Sequence, residues 1–466
     1  MKNFNIISSK TLNILIFTFP LMFILGNFFI NTFVFLFSII GIVYYKNKLL
    51  YFKDQKLFIL ISLFFIIVLF SSFLEHVKND ENSNLVKSFL FLRYLILAFI
   101  LRCMIANKDF NFKSFLFSCL IFSGFIAIDV LIQSILGSSL FGFKSDVWNS
   151  GMFDDEKIAG GFIQRFAILG FFFIILFFKN KNKKLFFISF LVLIIYFLSI
   201  LASGNRMPAL LFLVFLFFLP LLFIDKKITY RILIFSSLIS IVLFLIIKSS
   251  EQIKVHEWSK RWGSFYAGIP KISKISTELK REYPELEKYK NTGINFVNIP
   301  EVKEFMLGYD LYDIFTGHQQ LYITSIDIIL DDLIIGRGIR SFRNTCKEKI
   351  HLPNRSCQSH PHHLYLDILN DTGILGFFII LILVLFLSLK NFNKNYKKIN
   401  ENLFFFAILA SFLIEFFPIR SHGSFFSTSN AAFIFFLIGS VWGLNELKLK
   451  KFRKNRFSFN LKNLKS

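Results

Sequence analysis

The chain has 466 residues, of which 55% are hydrophobic and only 18% are charged. A soluble protein is typically about 45–50% apolar and about 25% charged, so this composition excludes an ordinary soluble globular protein. The apolar residues, which include 68 Phe, fall in blocks of about 17–25 residues, the length at which a helix crosses the hydrocarbon core. We therefore predict an all-α polytopic membrane protein embedded in a lipid bilayer.

The net charge of +23 raises the question of nucleic-acid binding, but the distribution of the charge argues against it. Lysine and arginine fall in short loops between the apolar blocks and in the C-terminal tail. The positive-inside rule predicts this distribution for the cytoplasmic loops of a membrane protein. We therefore expect no nucleic-acid partner.

Twelve transmembrane helices are predicted from the apolar blocks. They cover residues 11–24, 27–44, 57–74, 86–106, 113–137, 159–178, 185–201, 207–224, 232–248, 364–389, 403–418 and 430–446. Only a short turn at Gly26 separates the first two, so these two could instead form one re-entrant hairpin. No small-residue cleavage site follows the short basic start, so we expect the first span to stay in the membrane as an anchor.

The charges of the loops predict the orientation of the spans. Basic clusters follow the even-numbered spans and fill the tail, whereas acidic residues such as Glu75 and Asp154 lie in the alternate loops. Since basic loops remain in the cytoplasm, both termini are expected there. The mostly polar residues 249–363 then lie in the periplasm, and a loop of this length is usually functional.

The same pattern divides the chain into four parts. They are an N-terminal membrane domain of about nine spans (1–248), a periplasmic loop domain or cap (249–363), a C-terminal membrane domain of about three spans (364–446) and a basic cytoplasmic tail (447–466). Cys346 and Cys357 both lie in the loop domain, in an oxidising compartment, so we predict that they form a disulfide. Inside the membrane, Arg93 and Asp129 are predicted to pair, because an unpaired charge there is costly.

Three histidines, His360, His362 and His363, lie in the segment that leads into the tenth span. They are compatible with packing at the membrane interface, with metal ligation or with general-base catalysis. An imidazole with a pKa of about 6.5 can take a proton from a hydroxyl group at physiological pH. The spacing matches no closed zinc site and a disulfide would occupy Cys357, so we expect neither a metal nor another cofactor.

Several basic residues are predicted at the outer ends of other spans. Arg206 opens the eighth span, next to a helix N-terminus, which also favours anions. A guanidinium is the preferred bidentate partner of phosphate, although an arginine here could also only mark the end of the span. Arg165, Arg340 and Arg343 are further candidates for binding an anionic substrate, each with a structural or solvated alternative.

Taken in order, these motifs resemble the O-antigen ligase and O-antigen polymerase family of lipid-linked glycan transferases. The family signature is a histidine, a polar residue, nine other residues, a glycine, two others and a glycine, and it fits His362, His363, Gly373 and Gly376. The family usually has asparagine at the position of His363. Ser203–Leu210 resembles the turn with an arginine that opens the family's eighth helix.

Further stretches extend the resemblance over residues of about 145–430. Thr316–Tyr322 is similar to a helix start of the family, but it has His318 where the family usually has arginine. Gly336–Arg343 is similar to the family's Gly-x-Gly turn with phenylalanine. Gly151–Arg165 is similar to the loop that opens the family's central span.

The resemblance implies a multi-pass glycosyltransferase of the GT-C type in the bacterial inner (cytoplasmic) membrane, with its active site in the periplasm. The donor would be a glycan on undecaprenyl diphosphate, and the acceptor would be a sugar hydroxyl of lipid A–core or of a second glycan. His362 would be the base of a metal-independent displacement. The residues that would bind substrate are Arg206, Arg165, His318, Arg340, Arg343 and His363.

Two alternatives remain at this point. A ligase and a polymerase share the same donor chemistry, so the motifs leave both open. A transporter or flippase of lipid-linked sugars is a rival from a different class. Such proteins usually have internal repeats and polar sites near the membrane midplane. This sequence has no internal repeat and its polar candidates cluster at the outer end, which favours the enzyme.

Overall fold

The structure is a computed structural model that describes residues 2–52, 54–79, 82–144, 148–178, 182–219, 317–352, 355–395, 403–421 and 423–447. The predicted ninth span and most of the predicted periplasmic loop lie outside these residues. The helices of the described part are, in chain order, α1 (Lys2–Leu25), α2 (Asn27–Tyr45), α3 (Gln55–Asn79), α4 (Asn82–Ala106), α5 (Phe112–Leu136), α6 (Ala159–Phe178), α7 (Asn182–Ala202), α8 (Arg206–Phe218), α9 (Gly317–Asp331), α10 (Phe342–Thr345), α11 (Leu364–Asn395), α12 (Leu403–Glu415) and α13 (Thr428–Glu446).

Within the described residues, seven helices are long and apolar enough to cross a membrane. They are α2 to α6, α11 and α13, and shorter apolar helices lie within α1, α7, α8 and α12. Apart from turns and two isolated β-bridges, the regular structure of the described part is helical. The prediction of an all-α multi-pass membrane protein is therefore confirmed, whereas the total of twelve spans stays a prediction.

Helix α13 lies at the centre of the bundle and is buried along almost its whole length. Its most extensive contacts are with α4, and small residues at the crossing let the two backbones approach closely. A Cβ atom on Gly439 would lie 2.6 Å from the carbonyl oxygen of Ala98. Phenylalanine rings fill the space around α13, as between Phe19 and Phe436, whose centroids are 4.6 Å apart.

The buried side chain of Arg102 closes one end of the bundle, which we call the Arg102 end. Its guanidinium donates hydrogen bonds to three carbonyl oxygens just beyond α2, those of Lys48, Leu49 and Tyr51. It also lies 3.5 Å from the carboxylate of Glu446, at the end of α13. Because buried carbonyl groups need donors, Arg102 stabilises the chain where it leaves the helix.

Helix α11 is broken at Gly373, whose φ of 61° and ψ of −169° are not helical. The segment Leu333–Gly338 fills the break and exchanges backbone hydrogen bonds with both sides of it. Before the break, the carbonyls of Asn370 and Asp371 accept from the amides of Arg337 and Gly338, respectively. After it, the amides of Ile374 and Leu375 donate to the carbonyls of Leu333 and Ile334. A Cβ atom on Gly373 would overlap the carbonyl group of Ile334, so a glycine is required here by its φ and by this close approach.

The segment that fills the break is also bound to α3. The amide of Ile339 donates to the hydroxyl of Ser72 at 3.1 Å, and Lys78 lies 3.0 Å from Asp332. These contacts fix residues 332–339 against the bundle at the end opposite Arg102. We call this the outer end.

The prediction that Arg93 pairs with Asp129 is wrong. Arg93 donates to the amide oxygen of Asn31 and to the hydroxyl of Tyr94. Asp129 instead accepts a 2.7 Å hydrogen bond from the amide of Leu140, in the loop after its own helix. Both charged groups find polar partners close to their own helices, so neither depends on the other.

Replacement of Gly373 by alanine should lower the thermal stability of the purified protein. The added Cβ would overlap the carbonyl of Ile334 at a backbone conformation that L-residues rarely adopt, and such strain costs about 1–3 kcal/mol. The control is Gly161→Ala, since a Cβ on Gly161 meets nothing within 4 Å and alanine favours a helix. Unfolding temperatures in detergent should fall for Gly373→Ala and stay level or rise for Gly161→Ala. Equal temperatures for both variants would contradict the role of the break.

Candidate functional site

Histidines from two separate segments meet at the outer end. His318 is the second residue of α9, whereas His360 and His362 precede α11. The ring centroid of His362 lies 5.0 Å from that of His318 and 4.0 Å from that of His360. We call these three residues the histidine cluster. His363 lies beside it, where its ring contacts Tyr322 and its backbone forms an isolated bridge with Ser421.

The backbone of His362 adopts an uncommon conformation, with a φ of 56°. Non-glycine residues in this region are often held there at functional sites. The Nε2 atom of His362 lies 2.7 Å from the side-chain oxygen of Gln358. Because an amide oxygen only accepts hydrogen bonds, this contact places the proton of the neutral ring on Nε2 and leaves a lone pair on Nδ1.

The environment keeps the cluster uncharged at neutral pH. Burial, followed by the charges of His360 and His318, lowers the pKa of His362 to about 4. Burial, followed by the charges of Arg343 and His318, lowers the pKa of His360 to about 4 as well. Burial and the charge of Arg206 lower the pKa of His318, and burial lowers that of His363. A neutral imidazole has a lone pair that can accept a proton.

Arg206 is the first residue of α8 and is half-buried. The preceding Asn205 ties the turn to α6, because its side chain accepts from the amide of Gly160 and donates to the carbonyl of Lys157. The charge of Arg206 contributes to the lowered pKa of His318, so the guanidinium lies within electrostatic range of the histidine cluster. The structure therefore brings together two elements that are more than 100 residues apart in the chain.

The arginines of the long loop differ in what they contact. Arg343 is exposed on α10 and forms no hydrogen bond or ion pair with the residues that the structure describes, and its charge reaches His360. The guanidinium of Arg340 donates twice to the carbonyl of Phe426, at 2.8 and 3.1 Å. Of these two predicted substrate-binding residues, Arg343 is thus the one whose charge reaches the cluster without an acceptor among the described residues.

Arg165 is only 8% exposed and is bound within the protein. It donates to both carboxylate oxygens of Glu415, at 2.7 and 3.3 Å, and to the side-chain oxygen of Asn430 at 2.8 Å. This geometry favours the structural alternative for Arg165 over contact with a diphosphate. Sequence reasoning missed Glu415, although an acidic residue at the end of an apolar span signals a buried partner.

A disulfide joins Cys346 and Cys357, whose Cα atoms lie 5.2 Å apart. Cys346 packs with Leu321 and Ile328 of α9 and with Phe342. The disulfide thereby holds the segment that leads to His362 against the helix that begins with His318. Further bonds in the same place join Arg355 to Asp327 and the amide of Ser356 to the hydroxyl of Thr324.

Residues 191–381 match the family model described as O-antigen ligase. The match confirms the resemblance predicted from the motifs, over about two fifths of the chain. The matched segment contains Arg206, the histidine cluster and the break in α11. No curated protein is significantly similar to the chain.

The seven candidate spans indicate a multi-pass membrane protein, and the match over residues 191–381 gives general support for a function of the O-antigen ligase or polymerase type. Among the described residues, no group of three histidine, cysteine or acidic side chains has the arrangement of a metal site. The expectation of metal-independent chemistry stays a prediction.

The low pKa of His362 can be measured without knowledge of the reaction. Only neutral imidazole reacts with diethyl pyrocarbonate, so the modification rate of His362 should stay nearly constant from pH 7 to about pH 5. In unfolded protein the same residue should lose reactivity below its ordinary pKa of about 6.5. Mass spectrometry of the modified peptide measures both rates. An inflection near pH 6.5 in the folded protein would contradict the desolvated site.

The lowered pKa values of His360 and His362 also make the stability of the folded protein depend on pH. Above about pH 6.5 the histidines of the cluster are neutral in both the folded and the unfolded chain, so their titration contributes nothing there. As the pH falls from about 6.5 towards 4, the unfolded chain binds protons that folded His360 and His362 do not bind. Acidification in this window should therefore destabilise the folded protein.

Proposed function

We propose that the protein is an O-antigen ligase-like glycosyltransferase that moves a glycan from undecaprenyl diphosphate to a hydroxyl group of lipid A–core or a related acceptor. The observation that carries the proposal is the meeting of His318 and His362 at one end of the bundle, within electrostatic range of Arg206. These residues come from three segments, all within the O-antigen ligase match. A polymerase would use the same donor and the same residues, with a second lipid-linked glycan as acceptor.

In this proposal His362 is the general base. Its neutral ring accepts the proton of the acceptor hydroxyl, the acceptor oxygen forms a bond to the anomeric carbon, and the bond from that carbon to the diphosphate breaks. An imidazole with a pKa of about 4 is a weak base in the empty site. Because a nearby anion raises the pKa of an imidazole, binding of the diphosphate strengthens the base when the donor is present.

Arg206 binds the leaving diphosphate. Its guanidinium can form two parallel hydrogen bonds to phosphate oxygens, and its place at the start of α8 adds the positive end of the helix dipole. Arg343, whose charge reaches His360, supplies a second positive charge. It compensates for His318, which stands where the family usually has an arginine. Stabilisation of the developing negative charge is generally a large part of such catalysis. Arg340 and His363 shape the wall of the site, and Arg165 is left out of the diphosphate site.

The orientation follows from the charges of the loops. The Arg102 end contains the basic segment Lys46–Leu50, which the positive-inside rule assigns to the cytoplasm. The histidine cluster lies at the opposite end, on the periplasmic side of the bacterial inner membrane. The chain then has twelve spans, with the membrane domains 1–248 and 364–446, the periplasmic cap 249–363 and the cytoplasmic tail 447–466.

A glycolipid gel of a deletion strain tests the reaction and separates its variants. Loss of all polymer from lipid A, with restoration by the wild-type gene, is the expected result for a ligase. A band with a single repeat unit would show a polymerase. Accumulation of donor on the cytoplasmic face would contradict both and would indicate a transporter.

Alanine substitution of His362 should abolish transfer without loss of folding. Removal of a general base typically lowers the rate by about 10²–10⁴-fold. Transfer is measured per folded molecule with EDTA present, and His360→Ala and His363→Ala are expected to keep partial activity. Near-normal turnover of His362→Ala would contradict its role as the base. Loss of wild-type activity in EDTA, together with equal loss in all three variants, would indicate a metal centre instead.

Replacement of Arg206 by lysine should remove most activity, while the protein still inserts and folds. Lysine retains the charge but cannot form the bidentate contact with a diphosphate. The matched control is Arg337→Lys, because Arg337 lies in the same outer region but its ion pairs are with Asp331, Asp332 and Glu348. Transfer rates per folded molecule should fall only for the Arg206 variant. A lysine at position 206 that works as well as arginine would show that only a point charge is needed.

A further inference from the structure

Two buried arginines share one carboxylate at the outer end. Arg165 of α6 and Arg420 both bind Glu415, the last residue of α12, and their shortest contacts are 2.7 Å and 3.0 Å. All three side chains are buried: Arg165 is 8% exposed, Arg420 is 4% exposed and Glu415 is 1% exposed. We call them the charge triad.

Stability alone does not explain the charge triad. It contains two positive charges and one negative charge, and Arg420 stays protonated at neutral pH although burial lowers its pKa to about 10. The free energy needed to transfer ions from water to a buried site is often larger than the free energy gained from their mutual attraction. Apolar residues of similar size can therefore give a protein of equal stability. Ion pairs do, however, fix distances and angles, because each guanidinium must face a carboxylate oxygen.

What the charge triad fixes is the turn after α12. The carbonyl of Arg420 accepts the amide of Leu364 at 3.4 Å, and the next residue, Ser421, forms the bridge with His363. In the same turn, the carbonyl of Phe416 accepts a hydrogen bond from the hydroxyl of Tyr365.

A second anchor of the turn comes from Asp367. Its buried carboxylate accepts from the hydroxyl of Ser424 at 2.9 Å and from the amide of Phe425 at 2.7 Å. The turn is therefore bound to each of the residues 363, 364, 365 and 367, immediately after His362. The N-terminus of α11 cannot shift without moving the turn or breaking these contacts.

We propose that Glu415 is a positioning residue for His362. It links Arg165 of α6 to Arg420, and Arg420 holds the start of α11, so the carboxylate sets where the imidazole stands relative to the bundle. The proposal rests on the proposed function in one respect, since it takes His362 to be the base. Glu415 itself need not contact the donor or the acceptor.

The first test does not depend on activity. Glu415→Gln keeps the size of the side chain but removes the charge that both arginines share. At neutral pH, where the ring is uncharged, the rate at which diethyl pyrocarbonate modifies His362 should change by about threefold or more, because a mispositioned start of α11 alters the burial of the ring and so its access to the reagent. The matched control is Glu446→Gln, which breaks another buried glutamate–arginine pair, with Arg102 at the far end of the bundle. That variant should leave the modification rate unchanged.

The second test uses transfer of the glycan per folded molecule. A displacement of about 1 Å can lower a rate by about 100-fold, so Glu415→Gln should lower kcat by about 10- to 100-fold and leave KM for the donor nearly unchanged. Glu446→Gln should lower the folded yield but not kcat. If Glu415→Gln does not fold, Arg165→Lys takes its place, since lysine keeps the charge and loses the fork.

The outcomes separate the two proposals. A changed modification rate in Glu415→Gln alone, without any transfer activity in the wild type, supports the positioning role and contradicts the proposed function. Unchanged modification and unchanged kcat in folded Glu415→Gln would overturn the positioning role. Equal effects of Glu415→Gln and Glu446→Gln on both measurements would also overturn it, since they would show only a general loss of packing.

Discussion

The backbone hydrogen bonds across the break in α11 determine how the outer end is built. In an apolar environment every peptide N–H and C=O group needs a partner, so a helix can open only where another segment supplies them. Leu333–Gly338 supplies them here, with two donors to one side of Gly373 and two acceptors from the other. Because α9 ends just before this segment and α10 begins just after it, the break fixes the positions of His318 and Arg343 together.

The site that results combines uncharged bases with fixed positive charges. Burial lowers the pKa values of the histidines, and the positive charges of Arg206 and Arg343 further disfavour the imidazolium form of His318 and His360. An anion that enters reverses this electrostatic balance. In the proposed mechanism these arginines bind the anion, and the imidazoles beside it become better bases. Under that mechanism, substrate binding and the strength of the base are coupled through a small number of charges.

Much of the membrane fold could be predicted from the sequence, because the length of an apolar block and the charge of its flanks act locally. The disulfide pair could be predicted from compartment and spacing. The meeting of Arg206 with His318 could be expected only through the family resemblance, since no local pattern joins segments so far apart. The break at Gly373 also could not be predicted, because it depends on hydrogen bonds to a segment about 40 residues earlier in the chain. A glycine in an apolar block shows that a close approach is possible, but not which loop makes it.

The role of Arg165 shows the same limit. Its position near an outer span end suggested an anionic ligand, whereas the carboxylate that binds it lies 250 residues further along the chain. Glu415 carried a usable signal, because an acidic side chain within an apolar block must find a partner. The sequence alone did not indicate that this partner would be shared by two arginines.

The central place of α13 has a consequence for how the protein is made. This helix follows all the other described helices in the chain, yet it is the one around which they pack. During synthesis α4 enters the membrane long before α13, so the surface around Ala98 that later accepts Gly439 must first be covered by lipid, by other helices or by the insertion machinery. The bundle can therefore close only after its last described helix has been inserted. A stop codon shortly before α13 would leave a chain with most of its spans and no centre, which quality-control proteases of the membrane would be expected to remove.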